Sequence, residues 1–222
     1  MHIPDGYLDA PICILTYAVS LLILILCWKK AKSEFQSRFA STLAILSSLI
    51  FVAQMLNFPI VGGTSGHLVG GTLLATIFGP YIAALGMTIV LLIQAVFFAD
   101  GGITTFGANI FNMAIIGAFS YYIVKLLAGK TPSTKRFLTS VFVTSWLSVV
   151  LGSLACALEI GFSQAFPADI SVTVPAMLFW HAIIGVGEGA ITTPLVSAIK
   201  YVNPSLFSFH FPWRLPINET EE

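Results

Sequence analysis

The stretch His67–Phe98 reads HLVGGTLLATIFGPYIAALGMTIVLLIQAVFF, and its reading decides the architecture. It contains no Asp, Glu, Lys or Arg. A helix that crosses a bilayer needs about 20 apolar residues. One helix over the whole stretch would overshoot, and two would be short. Gly79-Pro80 divides it, because proline cannot extend a helix from the turn before it and disfavours helical dihedrals in the preceding residue.

Charges outside the stretch choose between one pass and two. Every Lys and Arg falls in one of three groups: Lys29, Lys30, Lys32 and Arg38; Lys125, Lys130, Lys135 and Arg136; and Lys200 with Arg214. Positive loops face the cytoplasm. With the first group inside, the loop near Phe58–His67 is outside. The second group returns inside only if 67–98 crosses twice. Other spans are expected at Ile12–Trp28, Phe39–Asn57, Ile110–Leu127, Phe137–Ala157 and Val172–Tyr201. The reading is an all-α integral membrane protein of seven transmembrane helices, amino terminus outside and carboxyl terminus cytoplasmic. The domain is single, 1–222: an extracytoplasmic amino-terminal segment (1–10), a seven-helix bundle (11–201) and a cytoplasmic tail (202–222).

Composition agrees. The 222 residues are 57% hydrophobic and 9% charged, against about 25% charged in soluble domains. Formal net charge is zero, so no basic field recruits nucleic acid. Cys13, Cys27 and Cys156 lie in apolar runs without C-x-x-C spacing and read as small buried hydrophobes. MHIPDGYLDAP has no positive region and no apolar run before Pro11, so it does not read as a secretory signal, and Met1 is expected to stay in place. Asp5, Asp9, Asp100, Glu159 and Asp169 fall on or near the outer side, which carries no Lys or Arg. That suits a cation, although positive-inside bias alone leaves outer loops acidic. Two glycine-dense segments, 61–71 and 101–107, are also outer. Irregular backbone at membrane depth must be buried in protein or line a cavity, so the two could floor one pocket.

Met1-His2 is the most informative pair. A free amine, the amide nitrogen of residue 2 and Nδ1 of a histidine there close a five- and a six-membered ring on one metal. One more imidazole completes a square. Planar nitrogen ligation suits nickel(II) or copper(II), whereas zinc prefers a tetrahedron. The chemistry requires an uncapped Met1. His67, in a glycine-rich segment on the same expected side, is a candidate fourth ligand.

MHIPDGYL (1–8), GGTSGHLVGG (62–71) and DGGITTFGANIFNMA (100–114) resemble the CbiM/NikM family, the substrate-binding membrane (S) subunits of energy-coupling-factor importers for nickel and cobalt. The resemblance spans essentially the whole chain. It implies seven helices with the amino terminus tucked into the outer face, and metal held by the Met1 amine, the amide and imidazole of His2, and the His67 imidazole. It also implies a coupling membrane (T) subunit, ABC-type ATPase subunits and residence in the cytoplasmic (inner) membrane. No fused carboxyl-terminal domain is evident, so a small accessory membrane subunit, if used, is expected as a separate chain. The metal is cargo, and no prosthetic cofactor is expected. MHIPDG resembles the nickel branch more than the cobalt branch that supplies cobalamin synthesis.

Further polar residues are candidates to orient the ligands and loops: Asp5, Asp100, Asn109, Asn112, His181 and Glu188. His181 and Glu188 are seven apart on the last span, hence on one helical face about 10 Å apart along the axis. The alternative role for both is interhelical bonding. Gln94, deep in a span, needs a hydrogen-bond partner. The Ala40-x-x-x-Ala44 step permits close helix approach, and in the relatives such a step meets the coupling subunit. No G-x-x-x-x-G-K-[ST] occurs, so ATP must be hydrolysed by partners. An intramembrane hydrolase using His67, His181 or Glu188 is a remote alternative without an H-E-x-x-H or G-x-S-x-G motif. A stand-alone channel or secondary transporter lacks an internal repeat or ring of acids.

Overall fold

A computed structural model describes residues 1–208. Most of the expected cytoplasmic tail (202–222), with Arg214, lies outside the described residues. The chain is a helical bundle: α1 (Ala10–Glu34), α2 (Ala40–Met55), α3 (Gly71–Phe78), α4 (Pro80–Phe98), α5 (Phe106–Ala128), α6 (Thr134–Phe162) and α7 (Ile170–Val202). A single turn of helix, Ser205–Ser208, ends it. Among the described residues, α1, α4, α5, α6 and α7 are long and apolar enough to cross a membrane. The outward faces carry exposed large apolar residues such as Leu22, Ile45, Ile89 and Ile183, as a lipid-facing surface requires.

Helix ends follow local chemistry. The Asp9 carboxylate accepts from Ile12 N at 3.3 Å with Pro11 in the first turn of α1. Ser133 caps α6 by accepting from Arg136 N at 3.3 Å, and Asp169 caps α7 by accepting from Ser171 N at 2.7 Å. The expected break at Gly79-Pro80 is present. Gly79 has φ 79°, which ends α3, and Pro80 opens α4 at its first position, where a missing N–H costs nothing.

The two halves of 67–98, each expected to cross once, are unequal. α4 has 19 residues and α3 only 8. Eight residues rise about 12 Å, well short of a roughly 30 Å hydrocarbon core. Every residue of α3 is buried, so this short helix sits inside protein. Gly71 makes that possible: a Cβ there would lie 2.6 Å from Gly117 Cα on α5. Side chains at the α3–α5–α6 junction bond across helices, with Thr72 Oγ1 2.9 Å from Ser120 Oγ and 2.8 Å from Ser148 Oγ.

The segment between α2 and α3 is mostly irregular backbone. Phe58–Pro59 pairs antiparallel with Ser65–Gly66. Beyond it, Glu188 of α7 accepts from Val69 N at 2.8 Å and Gly70 N at 2.6 Å, and Gln54 Nε2 of α2 donates to Val69 O at 2.6 Å. Side chains from two helices thus satisfy backbone that no helix or sheet would. α5 carries a π-type turn at Ile110–Ile115; Asn109 immediately precedes it and Asn112 lies within it, and the side chains of both bond to neighbouring elements.

Candidate metal centre

The first three residues are threaded into one end of the bundle, beside residues 65–67 and 100–109. Met1 and Ile3 are fully buried and His2 is 3% exposed. The Ile3 backbone anchors them. Its N–H donates to Asn109 Oδ1 at 2.8 Å. Its carbonyl accepts from Gly102 N at 2.8 Å, Thr105 Oγ1 at 2.5 Å and Asn109 Nδ2 at 3.1 Å. Just outside, Asp5 accepts from Thr104 N at 2.7 Å and Thr104 Oγ1 at 2.6 Å. The second glycine-dense segment therefore holds the amino terminus, while the first supplies what the terminus meets.

The Met1 amine donates to the Ser65 carbonyl and, at 3.1 Å, to Ser65 Oγ, and it lies 2.8 Å from His67 Nε2. His67 is 2% exposed. The His2 and His67 rings stack with centroids 4.5 Å apart. Metal–imidazole bonds run at about 2.0–2.1 Å, so two donors at a right angle on one metal lie about 2.9 Å apart. The amine and His67 Nε2 have that separation. Among the described residues no three His, Cys, Asp or Glu side chains form a metal cage. A site here draws on backbone nitrogen as well as on the two rings.

Both rings are oriented through the nitrogen that would not bind. His67 Nδ1–H donates to Leu68 O at 2.7 Å, which leaves the Nε2 lone pair facing the amine. His2 Nε2 lies 3.1 Å from Gln94 Oε1, while His2 Nδ1 is buried without a hydrogen-bond partner. Asp100 Oδ1 is 3.5 Å from that Nδ1, and Asp100 Oδ2 accepts from Asn57 Nδ2 at 3.2 Å.

Burial sets the protonation. It lowers the amine from 8.0 to about 5. It lowers His2 from 6.5 to about 3, helped by the neighbouring amine, and holds His67 well below its ordinary value. Burial raises Asp100, against the pull of the amine and Asn57. At neutral pH the amine and both rings therefore present lone pairs, with one carboxylate beside them.

The remaining expected residues divide. Asp5, Asp100 and Asn109 do hold the terminal segment or face His2. Asn112 does not reach it, because its Nδ2 donates to Glu159 Oε2 at 2.6 Å. Glu188 secures the backbone just after His67 rather than a ring. His181 is fully buried, with Nδ1 donating to Met177 O at 2.8 Å, and its ring lies beside Ser65. Gln94, Ser65 and Thr105 were missed as site residues. No spacing in the chain ties position 94 to position 2, and the one available signal was the oddity of an amide deep in a span.

The family described as "Cobalt uptake substrate-specific transmembrane region" (CbiM) matches residues 2–206. A provisionally named fused nickel transport protein NikMN of Archaeoglobus fulgidus is 42% identical over 93% of this chain and 68% of its own length. The cobalt transport protein CbiM of Kyrpidia tusciae is 32% identical over 94% of this chain and 86% of its own. A crystal structure described as a transition metal transporter superposes with a TM-score of 0.85 at 34% identity, covering 96% of this chain and all of that one.

Proposed function

We propose, for a chain that belongs to the CbiM family of nickel and cobalt transport membrane proteins, that it is the metal-binding subunit of an ATP-driven energy-coupling-factor importer and takes up nickel(II) through four nitrogens in a plane. The donors are the Met1 amine, the His2 amide, His2 Nδ1 and His67 Nε2. The observation that carries this reading is the buried convergence of an amine and an imidazole lone pair at 2.8 Å, next to a second ring whose Nδ1 has no hydrogen-bond partner.

Charge balance supports it. Deprotonating the His2 amide leaves nickel(II) and its four nitrogens with one net positive charge. Asp100, beside His2, offsets that charge in a setting where an unpaired ion is costly. Ligand-field stabilisation in the plane offsets the cost of removing the amide proton, which is why nickel is favoured over cobalt. Cobalt(II) for cobalamin synthesis is the alternative cargo.

In this reading α2, and the short α3 together with the irregular backbone before it, each count as one crossing, so that the amino terminus and its site are outside and the Lys-rich loops inside. Released metal must then pass to the cytoplasmic side with work done elsewhere, by partner ATPases through a membrane coupling subunit in the cell membrane. The test is metal analysis of full-length protein, expressed from its own start with both ions supplied, together with uptake before and after inactivation of the partner ATPase. Stoichiometric nickel and ATPase-dependent uptake are expected. Metal-free protein, or uptake indifferent to the ATPase, would sink the proposal.

A further inference from the structure

We infer that Gln94 is a positioning residue that decides which nitrogen of His2 is free to bind metal. The inference rests on the nitrogen-site reading above and assigns a role to a residue outside the ligand set.

A neutral imidazole has one N–H and one lone pair. For His2 to close the six-membered ring with its own amide, the lone pair must be on Nδ1 and the hydrogen on Nε2. Two groups compete over that hydrogen. Asp100 Oδ1, 3.5 Å from Nδ1, favours the tautomer that would block ligation. Gln94 Oε1, 3.1 Å from Nε2, favours the one that permits it. A carbonyl oxygen can only accept, so the nitrogen facing it carries the hydrogen. The Gln94 contact is the shorter of the two, and Nδ1 is left buried and without a hydrogen-bond partner.

Gln94 is fully buried near the end of α4, and its backbone constrains the competitor as well. Its carbonyl accepts from the N–H groups of Ala99, the left-handed cap of α4, and of Asp100 at 3.1 Å. One residue thus fixes the turn that carries Asp100 and, through its side chain, the ring that Asp100 faces. The Gln94 Nε2 atom has no partner of its own. Burying an amide half-satisfied is a cost that helix packing would not select, since a leucine would pack there without it. His67 has the opposite tautomer, locked by a backbone carbonyl. Gln94 is therefore the side chain on which the alternation of the two rings depends.

The experiment uses the full chain in lipid nanodiscs with 15N-labelled histidine and nickel(II) as the probe. In metal-free wild-type protein, nitrogen shifts of His2, assigned by loss of its signals in His2→Ala, should report hydrogen on Nε2. Gln94→Met, similar in length but without an acceptor, should give mixed tautomers and about 10–100-fold weaker nickel binding, the usual cost of losing a group that orients a ligand. Gln94→Glu, whose ionised carboxylate can only accept, should keep the wild-type tautomer and bind nickel at least as tightly. A wild-type tautomer and affinity in Gln94→Met would overturn the inference. If Gln94→Met does not fold, hydrogen on Nδ1 or weakened binding in Gln94→Glu overturns it equally. Undiminished nickel binding by His2→Ala would instead refute the nitrogen site itself, while the tautomer comparison would still judge Gln94.

Discussion

Loading the site with nickel(II) should release close to one proton at pH 7. The number follows from the tucked terminus. With the amine lowered to about 5 and His2 to about 3, both are deprotonated at pH 7, and His67, held well below its ordinary value by burial, is as well. The His2 amide is then the one donor that must lose a proton. Were residues 1–3 instead loose in water before binding, the amine would titrate at roughly 7.7–8 and each ring near 6.5. Release at pH 7 would then be about 2.3 protons.

The sign of the pH dependence follows. The folded-state values of these bases lie below their free values, so the tucked arrangement is fully favoured above about pH 8. It weakens as pH falls toward about 5, where the amine takes up its proton. Log affinity for the tucked site should rise by about one per pH unit between about 6 and 8, and more steeply below about 5. Isothermal titration in buffers of different ionisation enthalpy gives the count directly. A value above two would refute a terminus docked before the metal arrives. A value near zero would remove the amide from the ligand set.

Three other outcomes are expected. Acetylating Met1, or adding one residue before it, should abolish tight binding with the helices intact by circular dichroism, since the amine has Ser65 O, Ser65 Oγ and His67 Nε2 packed against it; unchanged affinity in a folded, blocked sample would exclude the terminal chelate. His67→Ala should weaken nickel binding by about 10-fold to 100-fold or more and move the visible d–d band to longer wavelength as water takes the fourth position; an unchanged spectrum would send the search to His181. Glu188→Leu should cost about 1–3 kcal/mol for each of the two buried amides left unpaired, read as a lower thermal midpoint in detergent, and should also weaken metal binding; a midpoint equal to wild type would show that Val69 and Gly70 find other acceptors.

The helical bundle, the break at Gly79-Pro80 and the pairing of Met1-His2 with His67 were all legible in the sequence. They depend on local signals: apolar run length, a dipeptide that stops a helix, and a chelate motif within two residues. The length of α3 was not legible. Whether a run such as GTLLATIF spans lipid or lies within protein depends on what surrounds it, here Gly117 of α5 and Ser148 of α6. The supporting polar contacts divided for the same reason. Asp5 and Asn109 sit in motifs near the site and were found, whereas Gln94 meets His2 across 92 positions. Asn112, in the same motif as Asn109, lies within the π-type turn Ile110–Ile115 and bonds Glu159 of α6 instead.

The threading of the terminus also bears on how the molecule is built. The amine meets His67 across 66 positions, Cys156 Sγ approaches Met1 O across 155, and Val69 depends on Glu188 across 119. All three are long-range partnerships, and each closure confines a long loop before any contact repays it. The backbone just after His67 has its full set of bonds only with α7 in place, since Glu188 accepts from Val69 N and Gly70 N. Metal affinity at residues 1, 2 and 67 would therefore read long-range closure rather than helix content: a clipped chain, however helical, would present a loose amine and rings. By linkage, captured metal in turn stabilises the completed topology over its partly opened forms.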